Sequence, residues 1–481
     1  MHVIIYVLDA LRADHLSCYG YERETSPHID ALAREGVVFE NCFTSSTWTR
    51  PVAASILTGT YPAVHRTRTR HDMFSTNLTR LPQVLKAGGF ETAGFSTIGH
   101  LASELGFDEG FDRYYDLFRD PIILAKRRKL DTAKEGLLHA AGQEIALPQA
   151  EDVHDFLFPW LEENQATSTL NFIWSIETHI PYIVPNTFRH FSSSSFSQPN
   201  EGGYDDLRSA TAADRQRIID LYDDVIRYND HCIGKIVSHL KALGIYEDTL
   251  FVIVSDHGDA FYEHGTYGHG YAPHEELIHV PMVMRFPGGQ YGEQRVPGLV
   301  ELIDIFPTMM AVVGLAPGMV GSTLVQGHNL LPLLDGRRSQ VREYVFSDTQ
   351  ALEFHNRYLS VRSQRWKYIQ VEQPKRNEPM FASTVKHIIE RRMIFDILRA
   401  PRHFLRHYFS STSRYLFNLE ADPGEQYNMA AERPDLVSQF QQVLESWQQQ
   451  NDELAEQAGS APYSYEESES LRRHLEELGY M

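Results

Sequence analysis

Three short runs put the tightest limits on what this chain can fold into. Residues 3–8, 170–176 and 251–255 are almost wholly apolar and lack the alternation of a strand with one face in water. Such runs read as strands buried on both faces of a mainly parallel sheet. Each delivers polar residues at its carboxyl end: Asp9, then Glu177-Thr178-His179, then Asp256-His257-Gly258-Asp259. Open α/β sheets bind ligands at those ends. Asp9 is therefore a candidate metal ligand, with a cap for the following Ala10-Leu11-Arg12 as the alternative. His179 is a candidate substrate ligand or proton donor, or else a structural histidine. Asp256 and His257, side by side on a tight glycine turn, are ligand types suited to Zn, Mn or Mg. Helical patterns alternate with the strands, as an α/β protein requires.

Residues 46–59 form the second feature. Thr49 has the side chain of an N-cap, Pro51 sits just inside the helical run that follows, and Gly59 closes it. A helix start is a place for an anion, and it would also stabilise the alkoxide of Thr49. Thr49 is thus either a nucleophile or a cap contributing ~1 kcal/mol. The loop 60–71 that follows is dense in cations, and His65 and Arg66 are its candidates for lining an anion pocket. After the third strand, His257, His264 and His269 crowd one loop with several acids. His264 or His269 could complete a second metal site or bind a transferring phosphoryl or sulfuryl group, and spacing does not separate these choices.

Length and charge bound the rest. A chain of 481 residues, 42% hydrophobic, can bury a large core and one smaller unit. No run approaches the ~20 apolar residues of a membrane span, and the opening apolar run reads as a first strand rather than a leader. Cys18, Cys42 and Cys232 are few, odd in number and widely spaced, which predicts reduced thiols in a cytoplasmic setting. A net charge of −20 argues against nucleic-acid polymers as partners, while leaving room for a local basic site that takes an anionic substrate. The stretch 383–410 is basic and amphipathic, to be read as a lid on the main domain or as a surface for an anionic membrane or lipid-linked substrate. An acidic tail, 452–481, ends the chain.

The succession of Asp9, a nucleophile heading Ala54-Ser55-Ile56-Leu57-Thr58-Gly59, Ser255-Asp256-His257-Gly258, and Glu275-Glu276 before Val280-Pro281 resembles the sulfatase family within the alkaline phosphatase superfamily. Later landmarks agree: Asp304-Ile305-Phe306-Pro307-Thr308, Arg365-Trp366-Lys367-Tyr368, and Asp422-Pro423-Gly424-Glu425 with Asn428. The resemblance implies an α/β fold in two parts. Residues 1–345 would form a large alkaline-phosphatase-like domain with a central mixed sheet between helices. Residues 346–481 would form a small C-terminal α+β domain with a short antiparallel sheet and a packed helix.

The departures from the family pattern matter as much. Where the family has a Cys or Ser that becomes formylglycine, followed by Pro and Arg, this chain has Thr49, Pro51 and Ala53. Ala10 stands where a second acidic ligand would follow Asp9, and no Lys-x-His pair appears at 96–100. What remains, Asp9, Thr49, Asp256 and His257, resembles the ligand set of superfamily members with a threonine nucleophile, such as nucleotide phosphodiesterases and phosphoethanolamine transferases. The resemblance implies one divalent ion, Zn, Mn, Mg or Ca, with a second ion at His264 or His269 left open. His179 matches the family's substrate-binding histidine, and His269 falls one residue off the place of its sulfate-binding lysine. The catalytic candidates are then Thr49, His179 and His269, and the substrate-binding candidates Arg50, His65, Arg66 and His264.

Three functions follow from these residues. The first is a metal-dependent hydrolase or phosphotransferase acting on phosphoric (di)esters or phosphonates, because water can cleave a phospho-threonine whereas a plain sulfate ester lacks the escape that formylglycine provides. The second is a sulfatase working through Thr49 or by direct attack of water. The third is a non-catalytic binding protein on the same fold, against which retention of all four candidate ligands argues.

Overall fold

The structure is a computed structural model and describes residues 1–74, 77–130, 137–140, 143–193, 211–315, 324–350, 356–373, 413–459 and 468–477. The expected strands form where the apolar runs lie. In chain order they begin with β1 (His2–Leu8), β2 (Val37–Phe43), β3 (Glu91–Ser96), β4 (Arg113–Asp116) and a short hairpin of β5 (Leu137–Ala140) and β6 (Gln143–Ala146). Then come β7 (Thr169–Ser175), β8 (Thr249–Ser255), β9 (Ala260–Phe261), β10 (Tyr267–Gly268), β11 (His279–Val280), β12 (Met282–Arg285) and β13 (Gln294–Glu301).

The main sheet is nine-stranded and mixed, in the order β11-β2-β12-β8-β1-β7-β3-β4, with β13 added beside β2. Its centre is parallel, with β1 between β7 and β8. The antiparallel element enters at β12, which pairs with β8 on one side and β2 on the other. The central strands lack alternation because both faces are covered. Val3, Ile5 and Val7 of β1 join one core, together with Val52, Ile56 and Leu57 of the helix Thr49–Thr58. Ile4, Tyr6 and Leu8 join the other, against the helices Pro27–Glu35, Ala150–Glu163 and Ala212–Ala242.

A second sheet of four antiparallel strands begins at Val345: β14 (Val345–Thr349), β15 (Arg357–Arg362), β16 (Trp366–Glu372) and β17 (Arg414–Asn418). The long helix Pro434–Gln457 covers it, so both expected elements of the C-terminal unit are present. The basic stretch 383–410 lies outside the described residues. Among the described residues no helix is long and apolar enough to cross a membrane, and the three cysteines are free.

The smaller unit is not a loosely tethered lobe. Its core of Leu359, Val361, Tyr368, Leu416, Phe440, Leu444 and Trp447 also contains Tyr61 and Ile303 of the large one. Trp447 stacks on Phe346 with ring centroids 5.0 Å apart and meets the edge of Tyr61 at 5.1 Å. Arg66 reaches Asp452 on the same helix at 3.5 Å. Truncating Trp447 to alanine would open a cavity where both units meet and cost about 3–5 kcal/mol. Urea denaturation should show this loss in one transition. A change below about 1 kcal/mol, or a C-terminal transition that melts alone, would show that the two units do not share a core.

Candidate active site

The register of the three central strands builds the site. Leu8 of β1 lies level with Ser175 of β7 and with Ser255 of β8, so the residues that follow them emerge side by side. Asp9 donates its backbone N–H to the Ser175 carbonyl at 2.9 Å, and Thr178 donates its hydroxyl to the Asp9 carbonyl at 2.6 Å. Gly258 gives the third strand end its tight turn: a Cβ there would stand 2.0 Å from the Glu276 carbonyl oxygen.

Asp9 and Asp256 are both fully buried, and each has one oxygen held and one left over. Asp9 Oδ2 accepts from Trp174 Nε1 at 2.9 Å. Asp256 Oδ1 accepts from the backbone of Ala10 at 3.0 Å and of His257 at 2.9 Å. Asp9 Oδ1 and Asp256 Oδ2 have no hydrogen-bond partner and lie 3.8 and 3.2 Å from His257 Nε2. His257 turns Nδ1 to the Gly258 carbonyl at 3.1 Å. That oxygen can only accept, so Nδ1 carries the proton and Nε2 presents its lone pair to the two carboxylates.

Thr49 completes the group, with Oγ1 3.4 Å from His257 Nε2. It is the first residue of its helix, whereas the N-cap is Trp48, and no side chain caps the helix start. The expected capping role is therefore not what the hydroxyl does: it points at the strand ends.

Two carboxylate oxygens, one imidazole nitrogen and one hydroxyl, all buried, are a donor set for a borderline or hard divalent cation. The unpartnered oxygens fit the same reading, since buried acceptors without donors are costly unless a cation meets them. Without a cation, burial followed by the neighbouring Asp256 charge drives the Asp9 carboxyl well above its ordinary range. Burial also pushes Asp256 up to about 8, although backbone N–H groups oppose it. Burial lowers the His257 imidazole, keeping it uncharged and available as a ligand.

A second constellation adjoins the first. His269 Nδ1 lies 2.7 Å from Asp259 Oδ1, and Tyr182 donates its hydroxyl to Asp259 Oδ2 at 2.8 Å. The His269 ring is 4.2 Å from that of His257 and 4.7 Å from that of His179. Burial pulls His179 down to about 3 and His269 well below its ordinary value, each further opposed by a neighbouring histidine. His257, Asp259 and His269 also stand close enough to hold an ion, which keeps the second-metal reading open for His269. The loop bearing His269 is tied to the Thr49 segment, for Gly270 donates its N–H to the Thr47 carbonyl at 2.8 Å.

Thr49, His179, His269, Asp9, Asp256 and His257 are thus brought together. The remaining candidates are placed elsewhere. His65 is buried between the Ser55 hydroxyl and the Thr67 backbone, both of its ring nitrogens engaged. Arg66 faces the C-terminal helix rather than an anion pocket. Arg50 is fully buried and directs its guanidinium to the carbonyls of Arg70 and Asp72 and to His100 Nδ1. It holds the loop that follows its helix. His264 stacks on His274 and faces Glu276.

The sequence reading gave no role to Asp259, which the β9–β10 hairpin brings onto His269. The fourth position of its own motif was the available signal. His100, at the end of the stretch that lacks the family's Lys-x-His pair, is buried, and the charges of Arg50 and then His179 add to the burial that lowers it.

Comparison with known proteins gives a consistent result. The family described as "Sulfatase" matches residues 1–315, and "N-sulphoglucosamine sulphohydrolase, C-terminal" matches residues 262–383. The chain is 24% identical to an N-acetylgalactosamine-6-O-sulfatase of Bacteroides thetaiotaomicron, covering 92% of each. It is 22% identical to the Homo sapiens iduronate 2-sulfatase, covering 89% of this chain and 91% of the relative. The fold is like that of a phosphonate monoester hydrolase of Agrobacterium radiobacter, with a TM-score of 0.71, 20% identity and coverage of 94% and 96%.

The buried carboxylates give the site a pH signature. Folded and metal-free, Asp256 keeps its proton up to about 8, whereas the unfolded chain releases it near the ordinary 3.8. The folded state binds more protons between those values, so this contribution to stability falls as pH rises through the window. A divalent ion binds the ionised form and opposes the fall. The melting temperature of chelated protein should therefore drop from about pH 5 to 8, while the gain from added ion grows; Asp256→Asn should weaken both trends, and Asp9→Asn/Asp256→Asn should flatten them. A metal-induced gain that does not change with pH would contradict this account of the site.

Proposed function

Because the chain belongs to the sulfatase family, whose model covers residues 1–315, we propose that it is a metal-dependent ester hydrolase in which Thr49 is the nucleophile and a phosphoric or phosphonic ester the substrate. The observation that carries this reading is the Thr49 hydroxyl, which caps nothing and faces His257 Nε2 among two unpartnered carboxylate oxygens.

Asp9, Asp256 and His257, with Thr49, would hold the ion, which when bound would lower the pKa of the hydroxyl and offset the charge of the ester. The start of the helix Thr49–Thr58 adds N–H groups and the positive end of its dipole for the ester oxygens. Thr49 Oγ attacks phosphorus, forming an O–P bond while the bond to the leaving oxygen breaks. His269 donates a hydrogen bond from Nδ1–H to Asp259 and so presents the lone pair of Nε2, and the Ile180 carbonyl beside His179 Nδ1 orients that ring in the same sense. The imidazole that takes the nucleophile's proton then returns it to the leaving alkoxide. In the second half water bonds to phosphorus and gives a proton to the same base, which returns it to Thr49 Oγ as the O–P bond breaks. Phosphoryl chemistry is favoured because this second step needs only water, whereas a threonine sulfate has no hemiacetal route.

The curated relatives named above are sulfatases, which supports sulfuric ester hydrolysis, by Thr49 or by direct attack of water, as the second reading. Three free thiols suit a reducing, cytoplasmic setting.

Thr49→Val keeps the shape of the side chain and removes only the oxygen. It should lower turnover of the best phosphate or phosphonate ester by at least about a thousandfold and leave the melting temperature nearly unchanged. Thr49→Ser should retain measurable activity. Radiolabelled phosphate and sulfate esters, trapped by acid quench and mapped by peptide, would identify the transferred group on Thr49. Near-normal turnover by Thr49→Val would remove the nucleophile assignment; label from sulfate esters alone would replace the phosphoryl reading by the second.

A further inference from the structure

We propose that His264, His274 and Glu425 form a second divalent-metal site, separate from the Asp9–Asp256–His257 centre, which clamps the loop carrying His269 to the C-terminal unit. The three side chains come from different parts of the fold. His264 follows β9, His274 precedes the short helix Glu275–Ile278, and Glu425 belongs to a turn that follows β17. Their ligand atoms nonetheless lie within 4.8 Å of one another. Donors around a tetrahedral zinc-sized ion stand roughly 3.3–3.5 Å apart, so closing the set needs side-chain rotation and no refolding. The two rings are stacked, with centroids 3.6 Å apart and planes 10° from parallel. Rotation about their side-chain torsions would turn the nitrogens from stacked to convergent.

The surroundings favour a cation there. His264 Nε2 is buried and has no hydrogen-bond partner. It faces Glu276 Oε1 at 3.7 Å, yet burial and the His274 charge pull this imidazole down to about 4, so it is uncharged and offers a lone pair. Glu276 is the fourth donor to hand, and burial raises its carboxyl to about 7. Glu425 Oε2 faces His274 Nδ1 at 3.3 Å and accepts from the Glu275 backbone at 2.7 Å. Its other oxygen pairs with Lys367 at 2.9 Å.

Five carboxylates, Asp14, Glu263, Glu275, Glu276 and Glu425, adjoin three cations, Arg12, Arg362 and Lys367, so acidic groups outnumber basic ones here. Glu276 is paired with no arginine or lysine here; it faces His264 and feels the charge of His274. Two imidazoles and two carboxylates suit zinc or a similar borderline ion.

The consequence lies in the loop between them. His264 and His274 stand five positions either side of His269, so an ion held by both would fix the hairpin that places His269 against His257 and His179. The site would work by positioning and would touch no substrate.

Metal analysis of the full chain after dialysis against zinc alone tests this. Wild type should hold two equivalents and Asp9→Asn/Asp256→Asn one. His264→Gln/His274→Gln should also hold one, and the four-fold variant none. Glu425→Gln should weaken the second equivalent about tenfold or more, and hydrogen exchange of residues 260–274 should quicken when that equivalent is lost. Should the double-histidine variant fail to fold, visible bands of four-coordinate Co²⁺ in the Asp9→Asn/Asp256→Asn protein, lost on Glu425→Gln, report the same site. A single equivalent that vanishes with Asp9→Asn/Asp256→Asn, or zinc and cobalt binding indifferent to His264, His274 and Glu425, would overturn the proposal. A second equivalent that survives in His264→Gln/His274→Gln would likewise overturn it.

Discussion

The alignment of β1 with β7 and β8 is the constraint on which the rest depends. Because Leu8, Ser175 and Ser255 are level, Asp9, Asp256 and His257 emerge at one height and share a space closed on both sides by apolar cores. A one-residue slip of either neighbour would turn its buried face over and carry its ligand away. Burial then sets the chemistry: it raises the pKa of both carboxylates, the Asp256 charge raises Asp9 further, and a cation is the natural way to keep them ionised.

Thr49 gives this arrangement a direction. A helix beginning at that residue, without a side-chain cap, leaves the hydroxyl available and points the positive end of the dipole toward the carboxylates. Arg50, one residue on, turns the opposite way and secures the 70–72 loop. Neighbouring residues thus face the strand-end cluster and the scaffold respectively.

Much of this was legible in the sequence, for physical reasons. Short unalternating apolar runs, rich in β-branched and aromatic residues and closed by polar turns, read as strands covered on both faces, so β1, β7 and β8 and the residues at their ends were identifiable, and with them Asp9, His179, Asp256 and His257. The long helix Ala212–Ala242 and the closing helix Pro434–Gln457 were likewise readable from periodicity. Charge density was a poorer guide. His65, Arg66 and Arg50 lie in a basic segment, but composition does not say which way a loop turns, and each faces another protein group. Asp259 needed the β9–β10 hairpin to reach His269. Glu425 needed the docking of a separate sheet to reach His264 and His274.

The central claim is that three strand-end side chains and Thr49 form one metal-bound nucleophilic centre. A crystal structure grown with manganese or zinc, with the ion located by anomalous scattering, tests it most directly. The account predicts a peak within bonding distance, roughly 2.0–2.2 Å, of Asp9 Oδ1, Asp256 Oδ2 and His257 Nε2, with Thr49 Oγ1 completing the set. An ion-free strand-end pocket under saturating metal, or a Thr49 hydroxyl turned back to cap its own helix, would contradict it.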